Sequence, residues 1–82
     1  MVFTFTTAPK LRMDKENITN QIDSSTQTFG ISTPYESGTI RLYWNGVRQI
    51  VNVTFSELNS TQIYTNFIPQ TGDYLVVEYI PL

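Results

Sequence analysis

Residues 38–55 read GTIRLYWNGVRQIVNVTF, and in them two runs of alternating apolar and polar side chains meet at Asn45-Gly46. An Asn-Gly pair between alternating runs predicts a two-residue β-hairpin, because both turn positions need a positive φ. The sequence therefore predicts one strand over 39–45 and a second strand over 47–55.

The register of this hairpin separates an apolar face from a wet one. Pairing Trp44 with Val47 fixes which residues share the inward face, since side chains alternate along a strand. The inward set is Ile40, Leu42, Trp44, Val47, Gln49, Val51, Val53 and Phe55. Arg41, Tyr43 and Arg48 lie on the other face, with Tyr43 directly across from Arg48. Gln49 inward and Ile50 outward break the pattern, and a β-bulge near them would restore it.

Further strands are predicted on both sides of the hairpin. Residues 1–7, 26–31 and 62–68 each have a short β pattern, and 56–60 reads as a connector. Residues 74–80 form a nearly continuous apolar run, which predicts a central or doubly covered strand. Twelve threonines and many β-branched and aromatic residues suit the same class. The predicted fold is all-β, a small antiparallel β-sandwich or barrel-like meander with an extended N-terminal arm.

Composition divides the chain after residue 37. Residues 1–37 contain a charged stretch and a Ser-, Thr-, Asn- and Gln-rich stretch, and they are predicted to be an arm and polar segment partly ordered by partners. Residues 38–82 are predicted to be the β-meander module. Because 82 residues bury only a small core and no cysteine is present, oligomerisation is the expected source of extra stability.

The residue types present exclude several kinds of function. The chain has no cysteine and no histidine, so thiol nucleophiles, Cys-based metal sites and Ser-His-Asp mechanisms are impossible. Its seven carboxylates have no spacing that demands catalysis or calcium binding. We therefore expect no enzyme, cofactor or metal site. A net charge of −2 argues against nucleic acid as a partner, and no apolar stretch is long enough for a membrane span.

The order of elements resembles a small module of tailed-phage virion structural proteins. In that module a strand ending in Tyr-x-Asn-Gly is followed by a strand, a connector, another strand, Pro-x-x-Gly-Asp and a hydrophobic strand. The matching residues here are 40–48, 55–58, 67–73 and 74–79, so the resemblance covers about half of the chain.

The resemblance implies virion architecture and no catalysis. Taken as complete from its own Met1, the chain suits a capsid decoration (cement) protein that binds the major capsid protein and itself, as a homotrimer at local three-fold positions. The expected location is the virion, after assembly in the host cytoplasm, since no signal peptide is visible. A tail-fibre or head-fibre module is one alternative. A second alternative is a carbohydrate-binding adhesin domain that uses Trp44. The hairpin register argues against it, because it assigns Trp44 to the core.

Two groups of residues are candidates for partner contacts. Phe3 and Phe5 lie on one side of an alternating arm, which could add as a strand to a neighbour's sheet or complete the sheet of this chain. Arg41, Tyr43 and Arg48 share the outer face of the hairpin, and Tyr and Arg are enriched at protein interfaces. An ordinary solvated face is the alternative for this second group.

Overall fold

A computed structural model of the protein describes residues 13–82, which form seven strands in two antiparallel sheets. The strands are β1 (Asp14–Asn17), β2 (Thr28–Gly30), β3 (Arg41–Trp44), β4 (Val47–Arg48), β5 (Phe55–Asn59), β6 (Gln62–Thr65) and β7 (Leu75–Tyr79). The first sheet has the order β1-β7-β3-β4 and the second has the order β2-β6-β5. A 3-10 turn at Thr19–Gln21 lies between β1 and β2. The prediction of an all-β antiparallel fold is confirmed.

The two sheets enclose one core of apolar side chains. Strand β7 supplies its alternate residues Leu75, Val77 and Tyr79, as expected for a strand with neighbours on both edges. The prediction of a central strand near 74–80 is therefore confirmed. The other buried apolar residues are Ile18, Phe29, Ile31, Tyr35, Ile40, Leu42, Phe55 and Ile63. Both sheets contribute to this set, so neither has a core of its own.

The hairpin turn at Asn45-Gly46 has the predicted geometry. Asn45 has φ 52° and Gly46 has φ 81°, both in the left-handed region that a two-residue primed turn requires. The pairs are Trp44 with Val47 and Tyr43 with Arg48, as the register predicts.

The prediction of one strand over 47–55 is wrong, because β4 ends at Arg48. The Gln49 amide still donates to the Leu42 carbonyl at 2.8 Å, but the chain then turns away through Asn52, which has φ 64°. The Asn52 amide closes the turn by donating to the Phe55 carbonyl at 2.6 Å. Phe55 begins β5 in the other sheet. The chain thus changes sheets where a bulge was predicted, and Val51 and Val53 become exposed instead of buried.

The predicted connector 56–60 is also wrong, since β5 extends through Asn59. Strand β5 pairs with β6, and its register shifts between Glu57 and Asn59. The polar sequence Ser-Glu-Leu-Asn is compatible with a strand here because β5 is an edge strand and remains partly exposed.

Residues before 38 supply one strand to each sheet. Strand β1 pairs with β7, and β2 pairs with β6 within the predicted range 26–31. The boundary suggested after residue 37 therefore does not coincide with a break in either sheet, because hydrogen bonds of this chain itself order β1 and β2. The predicted strand at 1–7, the arm, and its Phe3 and Phe5 lie outside the described residues.

Candidate interaction surface

The outer face of the four-stranded sheet brings the predicted contact residues together in two cross-strand rows. One row is Lys15, Glu78 and Arg41, and the second is Asn17, Val76, Tyr43 and Arg48. Directly paired residues point to the same side of an antiparallel sheet, so both rows lie on the face opposite the core. The sequence-predicted set Arg41, Tyr43 and Arg48 therefore shares one surface.

This face carries an unusual distribution of charge. Residues 13–82 contain three cationic side chains, those of Lys15, Arg41 and Arg48, and all three lie on it. Of the seven carboxylates of the chain, Glu78 alone belongs to these two rows. The protein is acidic as a whole, yet this face is basic. A partner attracted by this face would carry negative charge.

Glu78 neutralises only part of this positive charge. Its carboxylate lies 3.7 Å from the Lys15 amine and accepts a hydrogen bond from the Tyr43 hydroxyl at 3.2 Å. Tyr43 is consequently held half-buried against its own sheet. Arg41 and Arg48 are exposed and form no ion pair within residues 13–82. Their guanidinium groups remain available to a carboxylate of another molecule.

A loop of exposed aliphatic side chains follows β4. We call residues 50–53 the aliphatic loop, because Ile50, Val51 and Val53 are 62%, 41% and 61% exposed. Three apolar side chains this close together on a surface are typical of an interaction site. The register placed Ile50 outward, as observed, but sequence reasoning missed Val51 and Val53, which it assigned to the core. The signal was present in the misfit at Gln49 and Ile50, which marks the end of the strand.

Hydrogen bonds hold the aliphatic loop in one conformation. The amides of Val53 and Thr54 donate to the Ile50 carbonyl at 3.0 and 2.9 Å, and the Ile50 amide donates to the Thr54 hydroxyl at 3.1 Å. The Asn66 side-chain amide fixes the far end by donating to the Val53 carbonyl at 2.7 Å. Because the loop is already ordered, little conformational entropy would be lost when a partner covers it.

The aliphatic loop and the two arginines border a shared groove. Two adjoining depressions of about 140 and 430 Å³ are both lined by Ile40, Arg41, Arg48 and Val51. The floor is apolar, since Ile40 and Phe55 are buried, and the arginines stand at the rim. We name the outer face of the sheet, the groove and the aliphatic loop together the basic-aliphatic surface.

Trp44 occupies a structural position at the turn that leads into β7. Its indole stacks on the Phe67 ring, with centroids 4.0 Å apart and planes 12° from parallel. The indole N–H donates to Asp73 at 3.0 Å, and the Asn45 side chain donates to the same carboxylate at 3.2 Å. The assignment of Trp44 to the core side is supported by its packing against the core cluster, although the ring is only half-buried.

Asp73 organises its own loop as well. It accepts the Gln70 amide at 2.9 Å, and this bond, followed by those from Trp44 and Asn45, lowers the pKa of the carboxyl group below its ordinary value. Asp73 therefore belongs to the turn that precedes β7. Tyr35 does not extend this aromatic pair, since it is buried against Tyr79 with ring centroids 6.1 Å apart.

Comparisons with known proteins identify no relative from which a function of this surface could be inferred. No protein-family model matches the chain, and neither the curated proteins nor the solved structures contain a match. Within residues 13–82, no cluster of acidic side chains is arranged to hold a metal ion. That same part of the chain contains no helix long and apolar enough to cross a membrane.

Proposed function

We propose that the protein is a non-enzymatic structural protein of a tailed-phage virion, a capsid decoration (cement) protein that binds the major capsid protein. The basic-aliphatic surface is the observation that carries this proposal. It combines a preordered aliphatic loop with two arginines that form no ion pair within residues 13–82, and such a surface suits a protein partner better than a small substrate. The phage assignment rests on the resemblance of residues 38–80 to virion modules.

The chemistry of the surface specifies what the capsid must present. Arg41 and Arg48 favour carboxylates, and the groove between them and Val51 favours apolar side chains. A capsid region with an acidic rim around one or two exposed aliphatic or aromatic side chains would fit. Binding across two capsid subunits would stabilise the shell through added buried area, without any reaction.

The copy number in purified particles tests the decoration proposal most directly. Quantitative mass spectrometry of intact virions should find hundreds of copies per particle, associated with heads after heads and tails are separated. A few copies that follow the tail fraction would overturn the decoration role and leave the tail-fibre module. Absence from both fractions would overturn the virion proposal altogether.

Substitutions on the basic-aliphatic surface test which residues make the contact. The double variant Arg41→Gln, Arg48→Gln should weaken binding to stripped capsids more than about tenfold, because arginines at interface centres are frequent hot spots. Lys15→Gln removes the third cation of the same face and should weaken binding less than the arginine variant does, because Lys15 is away from the groove and already pairs with Glu78. Equal effects of Lys15→Gln and the double variant would contradict the proposed contact.

Two further predictions about assembly complete the proposal. Deleting residues 1–7 with Phe3 and Phe5 should weaken particle binding while leaving residues 38–80 folded, and full binding by the deletion would refute a role for the arm.

The proposed homotrimer is tested by sedimentation equilibrium at micromolar concentration. A saturable change of Trp44 fluorescence on titration with glycans would instead favour the carbohydrate-binding alternative.

A further inference from the structure

A separate depression lies beside edge strand β5 of the three-stranded sheet. It has a volume of about 180 Å³ and is lined by Tyr35, Ser37, Glu57, Leu58, Asn59 and Ser60. Its residues come from edge strand β5 and from the segment before β3. We call it the Tyr35–Glu57 pocket. It shares no lining residue with the groove beside Arg41 and Arg48.

The register of β5 points the Glu57 carboxylate inward. Glu57 pairs with Ile63, which is fully buried, so both side chains lie on the core side of their sheet. The carboxylate oxygens each lie 3.2 Å from the Gly38 amide, which donates to them. No cationic side chain of residues 13–82 forms an ion pair with Glu57. Its negative charge is therefore held at the pocket by the Gly38 amide, with the Tyr35 hydroxyl nearby and no cationic partner within residues 13–82.

Tyr35 adds an unsatisfied polar group to the same pocket. Its side chain is 1% exposed, and its hydroxyl lies near the Glu57 carboxylate without a hydrogen bond of full length and angle to any described residue. Burial, and then the nearby Glu57 charge, raise the pKa of Tyr35, so the hydroxyl keeps its proton at every physiological pH. A buried hydroxyl without a well-formed hydrogen bond is unfavourable, so a group that satisfied it would be bound favourably.

We propose that the Tyr35–Glu57 pocket binds a guanidinium or primary ammonium group. Such a group donates to the Glu57 carboxylate and supplies the cation that residues 13–82 do not provide there. The Tyr35 hydroxyl, whose residue lines the same pocket, accepts a further N–H from the bound group. The cation is either a free amine or a basic side chain of a partner protein. This site is independent of the function proposed for the basic-aliphatic surface.

The test is an NMR titration of the full-length ¹⁵N-labelled protein with methylguanidinium chloride at constant ionic strength. Saturable shifts of the amides at 35–38 and 57–60 are expected, and methylurea, a neutral analogue of nearly the same shape, should not reproduce them. Glu57→Gln should weaken binding by about tenfold, because a hydrogen bond to a charged group is lost. Glu78→Gln on the other sheet is the matched control and should bind as the unchanged protein does.

Tyr35→Phe separates the hydroxyl from the packing of the ring. The phenylalanine fills the same space against Tyr79, so the variant should fold and bind methylguanidinium more weakly. Unchanged binding in Glu57→Gln or in Tyr35→Phe overturns the proposal, as do equal shifts with methylurea. For variants with altered stability, the spectrum without ligand shows whether the fold is retained, and binding is compared only at temperatures well below unfolding.

The source of the cation is settled by two further probes in the same titration. Spermidine represents free amines, and a blocked arginine tripeptide represents a protein side chain. Tighter binding of the tripeptide assigns the pocket to a protein partner, and tighter binding of spermidine assigns it to a free amine. Failure of both to compete with methylguanidinium would overturn the assignment of the pocket as a cation site.

Discussion

The two halves of the hairpin sequence, residues 39–45 and 47–55, have the same alternation of side chains but different structures. Strand β3 follows its alternation and buries Ile40 and Leu42. After Arg48 the second half leaves the sheet and exposes Val51 and Val53. Strand β3 lies between β4 and β7, whereas β4 is an edge strand with one neighbour. Alternation therefore describes what a segment can bury, and whether it does depends on the segment staying in a sheet that faces the core, as β3 does and residues 50–53 do not.

The largest expected difference between the two halves is the loss of unfolding free energy when an aliphatic side chain is truncated to alanine. Leu42→Ala should lower the free energy of unfolding by about 3 kcal/mol, because Leu42 is fully buried and its loss leaves a cavity. Val53→Ala should change it by less than about 0.5 kcal/mol, since Val53 is exposed. Urea denaturation followed by Trp44 fluorescence measures both. Similar costs for the two variants would mean that residues 50–53 are buried in solution.

A smaller effect is expected from the turn that ends the first half and from the turn inside the second half. Gly46→Ala places a Cβ at φ 81° and should cost about 1 kcal/mol, because L-residues are strained in the left-handed region. No atom within 4 Å would meet that Cβ, so the cost would be conformational and not steric. Asn52→Gly is the counterpart in the aliphatic loop, where φ is 64°, and it should leave stability nearly unchanged. A neutral Gly46→Ala in urea denaturation would show that the hairpin tolerates another turn type.

The third prediction concerns acid and compares carboxylates in two loops outside the hairpin. Hydrogen bonds from Thr26 and Ser25 lower the pKa of Asp23 to about 2, and Gln70, Trp44 and Asn45 lower that of Asp73. A lowered pKa adds stability above the unfolded value near 3.8, and this contribution is lost as the pH falls through the folded value. The melting temperature should therefore decrease as the pH is lowered from 4 to 2.

Variants at these carboxylates check the origin of the acid effect. Asp23→Asn and Asp73→Asn should each reduce the dependence of the melting temperature on pH in this range, and the double variant should reduce it further. Calorimetry at constant ionic strength provides the measurement. If the slope between pH 4 and 2 is the same in all variants, other groups cause the acid sensitivity. Asp73→Asn should also alter Trp44 fluorescence, since the indole donates to that carboxylate.

The sequence determined the parts of the fold that depend on local chemistry. The Asn45-Gly46 turn, the pairing of Tyr43 with Arg48 and the central position of β7 were predictable from residue types and alternation. The change of sheet after Arg48 was not, because it depends on the turn at Asn52 and on whether β5 finds a partner in β6. Those are contacts between distant segments, which a single sequence does not reveal.

The candidate surface was predictable in the same partial way. Arg41, Tyr43 and Arg48 were found because they alternate on β3 and β4. The neighbouring aliphatic loop and the inward carboxylate of Glu57 were missed, since both lie where the chain departs from the expected strands. Residues 56–60 read as a connector because they are polar. In the structure these polar residues form edge strand β5 and line the Tyr35–Glu57 pocket.

The path of the chain between the two sheets affects how cooperatively the molecule unfolds. It crosses from one sheet to the other between β1 and β2, β2 and β3, β4 and β5, and β6 and β7. Strands of one sheet are thus separated along the chain by strands of the other sheet. We therefore expect that neither sheet can unfold while the other stays intact. Residues 14–79 should lose amide-exchange protection together, as one cooperative unit, and a protease should find few internal sites to cut before global unfolding.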